Sequence, residues 1–500
     1  MSDRETASIP HHLVESLVNL DGKHASKERP LVVDLDGTLI DTDMLHESVL
    51  SLISNHPGKV LNLPIWLIQG RAVLKRRIAQ HADIDFDTLP LNQALVAFLR
   101  TEKAKGRKLV LATASDSGLA TPIAERLGLF ERVLASEGRV NLKGYAKAER
   151  LIELYGDKGF DYAGNGSPDL AVWKHAHRVI AVDTPPSVLA KAKTLDPDAI
   201  VFPSKPRAPK DYLVAVRAHQ WVKNLLVFVP MLAAHQFDVS TLATGLKAFL
   251  AFSLCASSVY LVNDMLDLTA DRAHPSKSRR PLARGAVPLQ HGALMAALLL
   301  VAGFVLAWWV NPAFSLVLAL YYALTSAYSI RLKQMVLVDV FVLAALYTLR
   351  IFGGAAALGI PVSFWLLALS INLFLSLAMV KRYTELRALR DQGGRRVLGR
   401  GYRTDDLELL SSLGGASGYI AALVLALYIN SNEVAQLYSN PTLLWPICLL
   451  LLFWVSRVWL LTHRGEMHDD PVLFTLKDRP SQILGLVGFG ILLASMWQPS

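Results

Sequence analysis

Cysteine is nearly absent from this chain of 500 residues, which has only Cys255 and Cys448, both inside apolar stretches. This scarcity argues against a disulfide framework and fits a reducing compartment. Charged residues are also sparse, at 19% against 52% hydrophobic residues, as in membrane proteins. The first thirty residues lack the apolar core of a signal peptide, so we expect downstream helices to direct membrane insertion.

Long apolar runs are missing from about the first 210 residues and dominate the remainder, which predicts at least two domains. The net charge of +9 comes mainly from loops between the apolar runs, so we expect membrane lipids as partners and no nucleic acid. The predicted organisation is a polar lead-in, an α/β domain, a proline-rich linker and an all-α polytopic membrane domain, at residues 1–29, 30–200, 201–217 and 218–500.

Nine apolar runs have roughly the length of a membrane span. They lie at residues 222–235, 245–262, 291–310, 313–330, 336–358, 362–380, 413–430, 442–462 and 482–497. Lys and Arg are absent from alternate connectors and abundant in the others, so the basic set is predicted to face the cytoplasm. The chain is therefore expected to be a multi-pass protein of the inner or cell membrane, with its amino-terminal domain in the cytoplasm.

Four short motifs occur in order within the amino-terminal domain. A buried-strand run, Leu31-Val32-Val33, leads into Asp34-Leu35-Asp36-Gly37-Thr38, and a second buried-strand run, from Lys108 to Ser115, contains Thr113. Lys143 and Lys147 follow, and then Gly164-Asn165-Gly166-Ser167-Pro168-Asp169. An ionised carboxylate can attack a phosphoryl group only when a cation such as Mg²⁺ offsets the like charge, so paired acids suit phosphoryl transfer.

This motif order resembles that of the haloacid-dehalogenase (HAD) superfamily. The resemblance implies a Rossmann-type α/β fold with Asp34 as nucleophile, Asp36 as general acid/base, Thr113 as phosphoryl contact and Lys147, or alternatively Lys143, as the balancing lysine. It also implies Mg²⁺ bound by Asp34, Asp36 and Asp169. Asn165 departs from the acid expected there and should weaken metal binding. Residues 44–95 are expected to form a helical cap, with the apolar patch from Leu61 to Ile68 packed inside it.

The most distinctive stretch of the membrane half closes the apolar run 245–262. Asn263 opens it, and Asp264, Asp267 and Asp271 follow at spacings that place three acids on one helical face. Oxygen ligands of this kind suit Mg²⁺, which usually shares its remaining positions with substrate phosphates. The basic residues just downstream are candidate phosphate ligands. These are Arg272, Lys277, Arg279 and Arg280.

Three further connectors on the basic side contain polar side chains. The second has Tyr328 and Lys333 before Asp339, and the third opens with Lys381-Arg382. The fourth contains His468-Asp469-Asp470-Pro471. Asp339 is a candidate for binding metal or a ribose hydroxyl, or for a structural ion pair with Arg350. Lys381 and Arg382 are candidates for phosphate binding or for anchoring at the membrane surface.

The acidic motif and the predicted topology resemble the UbiA superfamily of intramembrane transferases, over residues 210–500. The resemblance implies Mg²⁺ and a polyprenyl phosphate or diphosphate bound at the cytoplasmic face. The second Asp-rich motif of the aryl-prenylating members is replaced here by Tyr328, Lys333 and Asp339. A narrower resemblance, through His219-Gln220-Trp221-Val222-Lys223-Asn224 and Arg279-Arg280-Pro281, is to decaprenyl-phosphate phosphoribosyltransferases, and it adds Lys223 to the phosphate ligands.

The sequence therefore favours transfer of 5-phosphoribose from phosphoribosyl diphosphate to a polyprenyl phosphate. Transfer of a prenyl chain to an aromatic acceptor is the alternative within the same family. An alternative of another class is a HAD phosphatase that the membrane domain only anchors. The HAD-like domain itself is expected to dephosphorylate the lipid-linked product, or to be regulatory because of Asn165.

Overall fold

The computed structural model describes residues 29–137, 140–203, 208–274, 276–395, 400–467 and 470–496. Nearly all of the predicted polar lead-in, together with His468 and Asp469, lies outside these residues. The chain forms two compact units. The first, called here the α/β unit, comprises Met1–Ala215 and Val262–Ala293; the second, the helical unit, comprises Val216–Leu261 and Leu294–Ser500.

Six parallel strands form the sheet of the α/β unit, in the order β3-β2-β1-β4-β5-β6. They are β1 (Leu31–Val33), β2 (Leu109–Asp116), β3 (Arg132–Ser136), β4 (Asp161–Gly164), β5 (Val179–Val182) and β6 (Ile200–Phe202). Val32 of β1 lies between Val110 and Tyr162. The strand order reverses between β1 and β4, and ligands of such sheets bind at the carboxyl ends of the strands beside this point.

Helices cover both faces of the sheet: β1, β4 and β5 are buried throughout, and the side chains of the sheet enter two apolar cores. Leu31 and Val33 contribute to one core and Val32 to the other. Three helices between β1 and β2 form a cap, which is described below. The helices after the cap are α4 (Gln93–Ala104), α5 (Ser117–Leu127), α6 (Tyr145–Tyr155), α7 (Leu170–Trp173) and α8 (Pro186–Leu195).

The cap consists of α1 (Met44–Asn55), a 3₁₀ helix at Pro57–Asn62, α2 (Leu63–Ile68) and α3 (Arg71–Ala79). Asp43 caps α1, since its carboxylate accepts hydrogen bonds from the first free backbone N–H groups of that helix. The patch from Leu61 to Ile68 was predicted to pack inside the cap, and this prediction is wrong. Four of its apolar side chains are exposed, because α2 is too short to bury more than one of its faces.

Thirteen helices, some short and some long, continue the described part of the chain. They are α9 (Pro209–Val216), α10 (Val229–Ala233), α11 (Val239–Leu266), α12 (Leu268–Ala273), α13 (Leu289–Val310), α14 (Pro312–Ile330), α15 (Val338–Leu358), α16 (Phe364–Asp391), α17 (Leu407–Ile429), α18 (Asn432–Leu437), α19 (Trp445–Arg464), α20 (Pro471–Lys477) and α21 (Arg479–Met496). Among the described residues, eight helices are long and apolar enough to cross a membrane.

The predicted nine spans are not confirmed, because the first of them is not one long helix. Residues Ala218–Phe228 form a 3₁₀ helix, which the short α10 follows with Pro230 in its first turn. This broken segment packs closely on α15: a Cβ added to Gly354 would lie 2.0 Å from the carbonyl oxygen of Val227. Glycine therefore permits the close approach of the two backbones.

Candidate functional site

The nucleophile position predicted in the α/β unit lies at the strand-order reversal. Asp34 follows β1 and is buried, and the Nζ atom of Lys147 lies 2.7 Å from its Oδ1 atom. Lys147 also donates to the hydroxyl of Tyr162, whereas Lys143, the alternative, is exposed. Burial raises the pKa of Asp34 to about 7 even though Lys147 opposes the shift. The carboxylate thus requires positive charge to stay ionised at neutral pH.

Asp36, the predicted general acid/base, is held by two segments of the domain. Its Oδ1 atom accepts a hydrogen bond from the backbone of Met44 at 2.8 Å, and its Oδ2 atom accepts one from the hydroxyl of Ser115 at 2.7 Å. Thr113 lies farther away, with 3.4 Å between its hydroxyl and Oδ2. Burial, followed by the charge of Asp43, raises the pKa of Asp36, which favours a proton on this side chain.

The acid of the fourth motif, Asp169, is buried and hydrogen-bonded. The Oδ2 atom of Asp169 accepts hydrogen bonds from the backbone of Asn165 and Gly166 at 3.0 and 2.9 Å, and its Oδ1 atom accepts one from Tyr162. The amide of Asn165 lies over Gly37, where an added Cβ would meet Nδ2 at 2.1 Å. Asn165 therefore reaches the same loop that carries Asp34 and Asp36, and glycine at position 37 leaves room for it.

The acidic segment of the membrane half lies at the end of α11 and in α12. Asp264 and Asp271 are both buried, and one guanidinium nitrogen of Arg280 donates to both, at 3.1 Å to the Oδ1 atom of Asp264. The backbone N–H of Asp271 donates to Asp267, and that of Asp267 to Asn263, so the helical turn that aligns the acids continues between α11 and α12. Burial raises the pKa of Asp271 although Arg280 lowers it.

Both acidic sets have the oxygen-only donor chemistry that suits Mg²⁺, and in each an internal cation already offsets part of the negative charge. The described part of the chain contains no cluster of three or more His, Cys, Asp or Glu side chains arranged to hold a metal ion. The residue types fit Mg²⁺, with Asp34 and Asp169 in one site and Asp264 and Asp271 in the other. Because these acids do not form a complete set of ligands, coordination requires further oxygen atoms, such as those of substrate phosphate.

Arg272 was predicted to bind phosphate, but its guanidinium is directed elsewhere. It forms a two-pronged ion pair with Glu47 of α1, at 3.1 and 2.7 Å, and its Nε donates to the carbonyl oxygen of Ala283. Glu47 also accepts a hydrogen bond from Thr42, and both charged side chains are only 6% exposed. The pair therefore joins the cap to the acidic segment, while Lys277 and Arg279 remain exposed.

One polar cluster of the helical unit surrounds Lys223. This lysine is buried and forms an ion pair with Asp470, whose carboxylate also caps α20. The neighbouring Asn224 accepts a hydrogen bond from Arg350 at 2.9 Å, and Arg350 also donates to the hydroxyl of Tyr321. The interpretation of Arg350 as the ion-pair partner of Asp339 is therefore wrong, because Arg350 bonds the 3₁₀ segment and α14 instead.

A second cluster of the helical unit surrounds Asp339, which is fully buried. Its Oδ2 atom lies 2.8 Å from the Nε of Arg382, also fully buried, and its Oδ1 atom accepts a hydrogen bond from Tyr402. Arg400 contacts Glu385 at 3.3 Å and Tyr328 at 3.4 Å. Arg382 is thus an interior cation and not a surface anchor, and a ligand would reach Asp339 only after its present partners moved.

Sequence reasoning missed several partners of the predicted site residues. Ser115 was visible beside Thr113 as a second hydroxyl at a strand end, and Arg400 and Tyr402 lie in a basic connector. Nothing in the sequence near Glu47 indicates that it contacts Arg272, because the two are 225 positions apart.

Comparison with known sequences gives a consistent picture. The model of the UbiA prenyltransferase family matches residues 224–477. The uncharacterized protein y4nM of Sinorhizobium fredii is 37% identical over 92% of this chain and 89% of its own length. Nodulation protein NoeC of Azorhizobium caulinodans is 36% identical over 55% of this chain and 90% of its own. The decaprenyl-phosphate phosphoribosyltransferase of Mycolicibacterium smegmatis is 32% identical over 57% of this chain and 91% of its own.

Two solved structures match parts of the chain, both with TM-scores below 0.5. A UbiA homologue from Archaeoglobus fulgidus bound to GPP and Mg²⁺ is 17% identical, covers 57% of this chain and 99% of its own, and has a TM-score of 0.44. A HAD family hydrolase from Salmonella enterica is 17% identical, covers 38% of this chain and 78% of its own, and has a TM-score of 0.25.

Proposed function

This chain belongs to the UbiA prenyltransferase family of integral membrane proteins, and on that premise we propose that it transfers 5-phosphoribose from phosphoribosyl diphosphate to a polyprenyl phosphate. Relatives named decaprenyl-phosphate phosphoribosyltransferase support this donor and acceptor. The proposed reaction takes place at the cytoplasmic face, where the positive-inside rule also puts the amino-terminal domain.

The observation that carries the choice of donor is the state of Asp339. It is the acid of the segment that replaces a second Asp-rich motif and lies in the first turn of α15. Arg382 lies 2.8 Å from one of its oxygens, and Tyr402 donates to the other. A carboxylate neutralised in this way is a poor metal ligand. A site with one acidic motif and buried cations suits phosphoribosyl diphosphate, a donor that carries a phosphate in addition to its diphosphate. It suits aryl prenylation less well, because an aryl prenylation site has two Asp-rich motifs.

In the proposed reaction the bond between ribose C1 and the diphosphate oxygen breaks, and an oxygen of the polyprenyl phosphate forms the new bond to C1. Asp264, Asp267 and Asp271 would hold Mg²⁺, which supplies positive charge to the diphosphate as it leaves. Arg280, Lys277 and Arg279 are proposed to bind its oxygens. In the helical unit, Lys223, Lys333 and Lys381, with Tyr328, are separately proposed as substrate ligands, whereas Arg382 is fully buried against Asp339.

The test is a transfer assay with purified protein, labelled phosphoribosyl diphosphate and polyprenyl phosphate. We expect label in the lipid fraction and its loss on removal of Mg²⁺ by a chelator. A parallel assay contains prenyl diphosphate and 4-hydroxybenzoate. Prenylated benzoate without lipid-linked label would replace this proposal with aryl prenylation.

For the HAD-like domain we propose removal of the phosphate from the phosphoribosyl lipid. The buried contact between Lys147 and Asp34 favours it, since it fixes a carboxylate beside a permanent positive charge. An oxygen of Asp34 would attack phosphorus while the ester oxygen leaves with a proton from Asp36. Water would then cleave the aspartyl phosphate and return a proton to Asp36, and Asp169 would hold Mg²⁺ together with Asp34.

Two variants separate the two activities and their rivals. Asp34→Asn should convert the product into a phosphorylated lipid that accumulates, with transfer unchanged. Equal products from this variant and the unaltered protein would instead indicate a regulatory domain. If Asp264→Ala retained every activity while Asp34→Ala abolished all of it, the membrane domain would be only an anchor.

A further inference from the structure

The cap carries a compact apolar surface, called here the cap patch, made of Leu61, Ile65, Leu67 and Ile68. Leu61 is 82% exposed and Ile68 86% exposed, and the other two are each 54% exposed. Single exposed apolar residues are ordinary, whereas four within eight positions form a surface that normally meets another apolar phase. None of the eight described helices long enough to cross a membrane contains the patch. Its exposure therefore cannot be explained as that of a membrane-spanning helix whose surface would be covered by lipid.

The patch is held in place by the residues behind it. Trp66 of α2 lies half-buried against His81, with ring centres 6.0 Å apart, and the Nζ atom of Lys59 lies 3.1 Å from the same imidazole. The 3₁₀ helix and α2 pack on α1 and α3. The outward direction of Ile65 and Ile68 is therefore fixed by packing on the opposite side of the segment.

The segment that carries the patch is basic, and the exposed acids Asp83, Asp85 and Asp87 follow it. Residues 57–82 contain five basic residues and no Asp or Glu. Arg76 and Arg77 are exposed on α3, the helix that packs on α2, and Lys59 is half-buried. Apolar and aromatic side chains bordered by Lys and Arg are the composition with which protein surfaces enter the headgroup layer of anionic membranes.

The start of the cap contacts the connector that follows α11. Glu47 of α1 is paired with Arg272, which follows shortly after the end of the apolar helix α11. A Cβ on Gly285, in the same connector, would lie 3.4 Å from the carbonyl oxygen of Asp41, just before α1. The cap is thus attached to the connector that leaves a membrane-length helix.

We propose that the cap patch inserts into the headgroup layer of an anionic lipid bilayer and holds the HAD-like domain against the membrane. Ile65, Ile68, Leu61 and Leu67 enter the lipid, and Arg76 and Arg77 bind its anionic headgroups. This proposal depends on neither enzymatic activity.

The test uses the full-length protein in lipid nanodiscs that contain phosphatidylglycerol. A nitrobenzoxadiazole label is attached to Ile68→Cys, since Cys255 and Cys448 are buried, and a lipid with a headgroup nitroxide is the quencher. Glu149→Cys, on the exposed side of α6, is the matched control. We expect the label at position 68 to lose at least about twofold more emission than the control. Equal quenching at the two positions would overturn the proposal.

A second measurement distinguishes lipid from a second copy of the chain. Oxidative crosslinking of Ile68→Cys should leave the protein monomeric, and an efficient disulfide dimer would overturn the proposal. With the reporter at Leu61→Cys, the variant Ile65→Ser/Ile68→Ser should lower quenching at least about twofold, and Arg76→Gln/Arg77→Gln should lower it only in anionic discs. Unchanged quenching in both double variants would show that the cap patch does not hold the cap at the lipid.

Discussion

The two acidic sites of the α/β unit neutralise their carboxylates in different ways. Asp34 is paired with Lys147, whose side chain is 4% exposed and whose position is set by the start of α6 beside the sheet. Asp264 and Asp271 share Arg280, whose side chain is 26% exposed and belongs to the following connector. The first site is thus fixed by the sheet, whereas the second depends on a cation that can turn to a ligand without unfolding its surroundings.

The largest effect is expected at the acids that share Arg280. Asp264→Ala leaves Arg280 without one of its two carboxylates and removes a proposed metal ligand, so the rate of lipid labelling should fall on the order of 10²–10³-fold. Asp405→Ala, at an exposed acid of the helical unit, is the control and should keep at least half of the activity. A small effect of Asp264→Ala would place the diphosphate elsewhere.

The ion pair between the cap and the acidic segment should contribute strongly to stability. Removal of one partner of a buried pair leaves an uncompensated charge, so Glu47→Ala should lower the free energy of unfolding by about 3 kcal/mol. The exposed pair of Arg150 and Glu153 is the control, and Glu153→Ala should cost less than about 1 kcal/mol.

A double-mutant cycle with Arg272→Ala separates this pair from general damage. The double variant should be less destabilised than the sum of the single variants, because neither charge is then left alone. Additive losses in thermal unfolding would show that Glu47 and Arg272 do not stabilise each other. If Glu47→Ala also raises the KM for phosphoribosyl diphosphate, the cap positions the acidic segment for the reaction.

A smaller effect should distinguish Arg280 from its exposed neighbour. Arg280→Gln removes the proposed charged donor to the diphosphate and should raise the KM for phosphoribosyl diphosphate roughly 10–100-fold. Arg279→Gln should raise it less, because Arg279 contacts neither acid in the structure and is exposed. The opposite ranking would show that Arg280 serves only to neutralise Asp264 and Asp271.

The sequence predicts local features well and tertiary partners poorly. The apolar run before Asp34 is confirmed as β1, and the run from Lys108 to Ser115 as β2, because buried parallel strands are continuous apolar stretches. The contacts of Glu47 with Arg272 and of Lys223 with Asp470 join residues more than 200 positions apart, and neither segment has a pattern that selects its partner.

Hydrophobicity alone also misjudged two segments. It predicted a span at 222–235, where Pro230 opens a separate short helix and the preceding turns are 3₁₀. It identified the apolar residues of the cap patch but not their surroundings, since an apolar side chain has the same pattern whether protein or lipid covers it. The backbone geometry of residues 222–235 and the exposure of the cap patch depend on packing against residues that are distant in the sequence. A short stretch of sequence does not contain this information.

The smallest effect concerns Asn165, the position at which the fourth motif of the α/β unit departs from the haloacid-dehalogenase pattern that the sequence resembles. Its side chain lies over Gly37, beside the loop of Asp34 and Asp36, so Asn165→Asp would add a carboxylate where a metal ligand is expected. We expect the Mg²⁺ concentration for half-maximal phosphate release to fall about tenfold. Asp183→Asn, at a neighbouring strand end, serves as a control for changes in surface charge. No change in Mg²⁺ dependence with Asn165→Asp would mean that Asp34 and Asp169 suffice as the protein ligands and that the amide is not what limits this site.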